Sequence, residues 1–532
     1  MRGAPRLARS AAAAAAVACL ACEGSGGSGG LVVKDEPTDP RCTPVANSLP
    51  SGLALVPGVA EEAVLVQSQP PALVRFDLDG EVPSLLASVA LAPAGDSDGD
   101  GVDDAVRSQQ VVGLPLAAVM GEVGAVHTHL ALVSTSNYEG VLFTDPSVPA
   151  LRTAQVENPD DAPGFAPQDY PFLPPGGTEG ARTGISTRTC VYPGAGATDS
   201  GGVAIAKASP CDPAEPASYL SNLTAGAVVA AGRLFAATSN LRNSGQARFY
   251  PGTVLVYEFE EAGAALRVRP HATSPVLFTT SFNPTGATRY VSASGRELVL
   301  VTATGAIGAG TGTGNVHTEA GIDVIDPVAL RIAARIPLGF AGAGFEGLAI
   351  DRAGRIGMLG ATSRRQLYGV DLRPLDDPRL YEGDGPPVLL DGLTQGFPDA
   401  RIFDADHPLV LPERGEGAPP AQCDGFTHVA WSHDATELLA TDYCDGDVSR
   451  VRVDLSGPPA IPAPRERFQP SVVERAFAPL TADSLGLERG PASLRVRPGV
   501  PAVDYTGPDL FVAISLPKAQ LCALRIASPA PP

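Results

Sequence analysis

Aromatic and basic side chains are scarce in this chain. Phe, Trp and Tyr make up 5% of its 532 residues, with one Trp, and 38 Lys and Arg stand against 58 Asp and Glu, a formal charge of −20. A face that grips a phosphate backbone must be basic, so nucleic acid is not the expected partner. The shortage of aromatics weakens any role that relies on stacking sugars. Charged residues amount to only 18%, whereas Gly (59) and Pro (52) are abundant. That balance disfavours long helices and suits many short strands joined by turns. The signatures HExxH and CxxCH are missing, and the Gly run at 305–317 has neither the Lys nor the following helix of a phosphate cradle. Beyond the N-terminus, no apolar run is long enough to cross a bilayer.

What is present is a repeat. AVVAAGRLFAATSN (227–240), RYVSASGRELVLVTATG (289–305), EGLAIDRAGRIGMLGATS (346–363) and THVAWSHDATELLATDYC (427–444) each read as an apolar strand, a turn with Gly or Asp, and a second apolar strand ending in small polar residues. A third strand follows and often closes on Asp, as in LVRFDL (73–78), VLFTD (141–145), GIDVID (321–326) and LYGVDL (367–372). Recurrence of one sheet-sized unit predicts an all-β chain folded as a β-propeller of about seven blades, with six or eight as the alternatives. Expected blades lie at about 51–80, 129–146, 225–270, 286–338, 344–373, 425–456 and 501–528, with long rim-loop insertions at 81–126, 147–224, 374–424 and 457–500. The strand–turn–strand units followed by VDL or VID resemble YVTN, lactonase-like and NHL-like propellers. The resemblance covers about half of the chain and speaks to fold rather than activity.

The N-terminus reads as an address. MRGAPRLAR is basic, SAAAAAAVACLA is short and apolar, and Cys22 precedes EGSGGSGG. This resembles a bacterial lipoprotein signal, with Cys22 as the lipidated residue and Cys19 as its rival; an ordinary cleaved signal is the remaining reading. Residues 1–22 are then the signal, 23–50 a Gly/Ser-rich tether and lead-in, and 51–532 a single propeller domain. Glu23 after the cysteine, by the same resemblance, permits sorting to the outer membrane. Any membrane contact would be through lipid alone, and a monomer is expected.

Six cysteines remain after the signal, an even number that favours disulfides in an exported chain. Cys423 and Cys444 flank a hairpin turning near 433–436, almost opposite one another. Cys190 and Cys211 would close a small ring in a loop-rich segment. Cys42 and Cys522 would then tie the two ends of the ring. A zinc site from Cys423, His428, His433 and Cys444 is disfavoured, because positions five apart on a strand face opposite ways.

The sharpest local motif is GDSDGDGVDDA (95–105). Asp96, Asp98, Asp100 and Asp104, with the Val102 carbonyl, supply oxygens at the alternate positions calcium favours, and Gly101 permits the turn. Arg107 stands where an EF-hand needs a bidentate Glu. The segment resembles the calcium loops of thrombospondin type 3 repeats and FG-GAP blades, which implies one structural calcium; a solvated acidic turn is the alternative. His127 and His129 share a strand face and lack an evident third metal ligand. Glu319, Glu346 and Asp424 are the candidates to face a central channel. Asn222-Leu223-Thr224 matches a glycosylation acceptor. The expected function is a non-catalytic envelope scaffold for a protein or glycan ligand. A lactonase-like hydrolase with a metal or acidic cluster in the channel, and a purely structural envelope protein, are the alternatives. No catalytic residue is assigned.

Overall fold

In a computed structural model of the chain, the described residues are 184–390, with short gaps at 210, 244–247, 263–264, 307–317, 341, 343–346, 352 and 362–365, together with the strands and a few turns between 42 and 157 and between 401 and 526. Among them are seven sheets of four or more strands, all built alike as antiparallel meanders. Blade 1 runs Pro50–Leu55, Glu62–Ser68, Pro71–Asp77, Ser84–Ala90. Blade 2 runs Pro115–Gly121, Leu130–Thr135, Gly140–Asp145, Gly184–Ser186. Blade 3 runs Thr224–Ala230, Arg233–Thr238, Thr253–Ala262, Ala265–Pro270, and blade 4 runs Pro284–Val291, Glu297–Ala303, Ala320–Asp326, Arg331–Gly339. Blade 5 uses Ala349–Ile350, Ile356–Gly360, Gln366–Asp371 and Arg401–Phe403. Blade 6 uses Phe426–Trp431, Glu437–Asp442, Val448–Val453 and Val472–Ala476. Blade 7 uses Pro491–Val496, Asp509–Ser515 and Gln520–Ile526.

The first strand of each blade lies innermost and touches the neighbouring blade, and that of blade 7 returns to that of blade 1. Leu348 N donates to Thr288 Oγ1 at 3.0 Å where blade 5 joins blade 4. The ring is a β-propeller. Its seam lies in blade 7, whose outer strand is Cys42–Pro44 from the other end of the chain, with Cys42 opposite Cys522 in register. Residues 42–44, expected in the lead-in, thus belong to the ring. The insertions also shrink: Ser84–Ala90, Pro115–Gly121, Gly184–Ser186, Val472–Ala476 and Pro491–Val496 are blade strands within them.

Face-to-face stacking of blades explains the poor polar alternation of the strands. Ala227 and Val229 enter a core shared with Val141 and Ile185 of blade 2. Val228 and Ala230, on the opposite face, pack against Val299, Val301 and Ile325 of blade 4. Both faces of Thr224–Ala230 are buried, so the strand reads as apolar throughout. The innermost strands approach closely: a Cβ on Gly226 would lie 2.9 Å from the Ala287 backbone nitrogen.

The Asp that closes the third strand has a local cause. Asp77 Oδ1 accepts from Asp79 N at 2.9 Å, Asp326 Oδ1 from Val328 N at 2.9 Å and Ala329 N at 3.1 Å, and Asp371 Oδ1 from Arg373 N at 3.0 Å. In three blades the carboxylate thus folds the chain toward the fourth strand through an Asx-type turn. Two outer edges are covered by donated strands running parallel to them. Val156–Glu157 lies along Leu266–Arg267 of blade 3, and Val388–Leu389 along Ala334–Arg335 of blade 4. Covering an edge removes a template for unwanted pairing.

Candidate functional site

At one rim of the ring, the first strand of blade 3 begins, its second ends and its third starts, with Thr224, Thr238 and Thr253 in register. Two excursions leave from this end. One spans 187–222, between the last strand of blade 2 and the first of blade 3. The other is the hairpin Leu241–Asn243 and Arg248–Phe249, between the second and third strands of blade 3. Together they form a small module with its own packing.

The first excursion is stapled. Cys190 and Cys211 are joined by a disulfide with Cα atoms 5.5 Å apart, and Cys190–Val191 pairs with Tyr219–Leu220. Val191, Ile205, Ala217 and Tyr219 form a core that Ala197, Tyr250 and Val276 flank. Phe249 anchors the hairpin against Ala306, with Leu241 and Phe282 beside it. Tyr219 stacks on Tyr250 at 4.5 Å between centroids and donates to Pro251 O at 2.7 Å. Burial pushes the Tyr219 phenol well above its ordinary range.

Polar bonds fix the module to the blade. Thr187 and Thr224 hydroxyls meet at 2.5 Å, and Ser221 Oγ donates to Thr187 O at 2.6 Å. Asn240, in the left-handed region (φ 59°), donates to Pro251 O at 2.8 Å and accepts from Asn222 N at 3.0 Å. Asn readily adopts that conformation. Asn222 itself donates to Leu241 O at 3.1 Å, and Thr224 is fully buried. The sequon amide is therefore engaged in the rim rather than offered to a glycan.

The electrostatic centre of the module is Asp199, whose side chain is fully buried. Its Oδ1 accepts from Gly201 N at 2.9 Å and Val203 N at 2.8 Å. Its Oδ2 accepts from Arg242 at 2.7 Å, and the Arg248 guanidinium stands 3.9 Å away. Arg242 also lies over the Tyr250 ring, 5.5 Å from its centroid. One buried carboxylate thus draws two half-buried arginines to the rim.

Of the channel candidates, Glu319 is described. It precedes the third strand of blade 4, two strands out from the innermost one, and pairs with Arg335 on the fourth strand at 2.6 Å. Arg335 also reaches Ser281 Oγ at 3.5 Å. Glu319 therefore sits away from the innermost strand, tied to the outside of its blade. Glu346 and Asp424 lie outside the described residues. So do Asp96, Asp98, Asp100, Val102 and Asp104, the lipidation candidates Cys19 and Cys22, the pair Cys423 and Cys444, and His127 and His129. His271 Nδ1 accepts from Ser274 N at 3.1 Å, and its Nε2 is 3.5 Å from Glu258. Among the described residues, no group of three or more His, Cys, Asp or Glu converges as metal ligands would. Sequence reading did not single out Asp199, Arg242, Arg248 or Tyr250. The available signal was a DSGG turn and an arginine-flanked RNSGQARFY segment.

No family model matches the chain, and no curated protein matches it. Its fold is similar to that of solved structures of low identity. One is the β-propeller domain of Cps50 (Swd1) from Myceliophteria thermophila, at TM-score 0.45 and 10% identity, covering 91% of this chain and 100% of that one. Another is hydrazine synthase from Kuenenia stuttgartiensis, at TM-score 0.45 and 11% identity, covering 94% and 99%. A third is Sqt1 from Saccharomyces cerevisiae, at TM-score 0.42 and 9% identity, covering 92% and 98%. The assignment of the chain as a β-propeller rests on the closed ring of meander sheets.

Proposed function

We propose that this chain is a non-catalytic binding scaffold of the bacterial envelope, and that it meets a glycan ligand through the stapled module on the rim of blade 3. One observation carries the reading. The chain spends residues 187–222 and 241–250 on a unit with its own disulfide, core and ion pairs, placed at a rim and supplying no strand to any blade. Rim excursions held by a rigid ring are where such folds present binding groups. The scaffold would be lipidated at Cys22 and face the periplasm or surface from the outer membrane. The acidic loop Asp96–Asp104 would hold one structural calcium.

The test is a glycan array probed with the intact chain and with a chain in which 189–220 is replaced by a short Gly-Ser link. The expected result is a discrete set of bound glycans that vanishes in the shortened chain while the ring still melts cooperatively. Equal binding by both chains, or none by either, refutes the reading. Turnover of lactones or phosphoesters by the purified intact chain would move the assignment to a propeller hydrolase.

A further inference from the structure

The module of blade 3 is locally basic in an acidic chain. Its described residues carry four basic side chains (Arg188, Lys207, Arg242 and Arg248) and three acidic ones (Asp199, Asp212 and Glu215), against a charge of −20 for the whole. Arg242 and Arg248 converge, although like charges repel, because a buried carboxylate holds them. The two are held unequally. Arg242 makes a 2.7 Å bond to Asp199 Oδ2, whereas the nearest Arg248 nitrogen is 3.9 Å from that oxygen, beyond hydrogen-bond reach. Arg248 is seated differently, with its Nε, Cζ and Cδ packed over Gly201. A Cβ there would lie 3.0 Å from Nε. The turn beneath is fixed by Asp199 Oδ1 and by paired bonds between Ser200 and Phe249, at 2.8 Å and 3.0 Å. The Arg248 side chain keeps 36% of its surface exposed. The result is a preoriented guanidinium at the rim, with one carboxylate shared between two cations.

We infer that Arg248, backed by Arg242, is an oxyanion-binding site that recognises the carboxylate or phosphate group of an acidic glycan. This rests on the scaffold reading above and gives its ligand a chemical class. A guanidinium presents its donors in a planar fork that matches an oxyanion in two parallel bonds. Holding the fork before the ligand arrives lowers the ordering cost of binding. Gly201 serves as a positioning residue, since a Cβ at 201 would stand 3.0 Å from Nε and 3.2 Å from Cζ and the guanidinium would have to give by a few tenths of an ångström.

The experiment is calorimetric titration of the full chain with trigalacturonate, phosphorylated maltotriose and neutral maltotriose. One acidic sugar should bind and the neutral one should not, and which acid binds identifies the source of the oxyanion. Arg248→Ala should weaken binding at least tenfold. Arg248→Lys, which keeps the charge and loses the fork, should recover only part of it. Gly201→Ala should weaken binding several-fold with both arginines still present. Arg242 is left intact because its loss would strand the buried Asp199. An intact Cys190–Cys211 bond and an unchanged melting temperature check that each variant folds. Binding of neither acidic sugar, or unchanged binding by Arg248→Ala, overturns the inference. If the array then still shows glycans that depend on 189–220, the scaffold stands and only its oxyanion class falls; an empty array removes both.

Discussion

Asp323 lies in the middle of the third strand of blade 4, 2% exposed. Its Oδ2 accepts from Thr280 N at 2.8 Å, and the Thr280 hydroxyl donates to its Oδ1. Thr280 belongs to the connection between blades 3 and 4. Arg335, the register partner of Asp323, directs its guanidinium to Glu319 instead. Burial therefore outweighs the Thr280 bonds and the Arg335 charge and lifts the carboxyl from 3.8 to about 6. The folded state then holds its proton more tightly than the unfolded state does. The contribution of this group is fully present below the unfolded value, near 3.8, and is lost as pH rises through about 6. A shift of about 2 units is worth about 3 kcal/mol in full, of which about 2 kcal/mol falls between pH 4.5 and 7.5. Many other acids titrate over that range, so the measurement is a difference between two chains. Asp323→Asn keeps the shape and an acceptor for Thr280 N while removing the charge. Urea unfolding can be followed through the single Trp, Trp431, buried and bonded to Ala349 O at 3.0 Å. On going from pH 7.5 to 4.5, the parent should gain about 2 kcal/mol relative to the variant. Parallel pH profiles for the two chains would refute the argument that desolvation dominates at this carboxylate.

Four further outcomes are expected. Gly226→Ala should cost about 1–3 kcal/mol in the same assay, because its methyl would press on the Ala287 backbone 2.9 Å away; a neutral effect would mean the innermost strands are spaced more loosely. Replacing Cys190 and Cys211 together by Ser should destabilise the module by about 3 kcal/mol through the loop of sequence separation 21 that the bond closes. Proteolysis should then cut within 187–222 first, and an unaltered cleavage pattern would count against the staple. A non-reducing digest should yield a linked peptide containing Cys42 and Cys522, which face each other across the seam; free thiols at both would leave the seam held by strand pairing alone. Calcium at 100 times its dissociation constant should stabilise the chain by about 2.7 kcal/mol, and Asp98→Asn should abolish most of that gain; a melting temperature indifferent to calcium and chelator would remove the loop at Asp96–Asp104 as a metal site.

The fold was legible because a propeller repeats one solution. Stacking between blades buries both faces of the inner strand of blade 3, which leaves the apolar run 224–230. Three blades, at Asp77, Asp326 and Asp371, turn toward their fourth strand on a carboxylate that caps backbone amides. What recurred was readable, and what occurred once was not. The outer and inner strands hidden in the insertions, Ser84–Ala90 and Pro491–Val496 among them, carry no Asp or Gly signal at the repeat spacing. Their pairing is set by the neighbouring strand rather than by their own sequence. Cys42–Pro44 is the extreme case: three residues whose place is decided by a partner about 480 positions away. The rim module was illegible for the same physical reason. Asp199 meets Arg242 and Arg248 across two separate excursions of the chain, and what joins them is a buried carboxylate rather than a spacing. Glu319, chosen from sequence for a channel, shows the converse. An acid near a strand entry is as easily consumed by an arginine one strand over, and Arg335 does so here. Where a ring supplies many equivalent strand ends, the residues that set one rim apart are those that two excursions bring together, and only their convergence distinguishes them from ordinary surface charge.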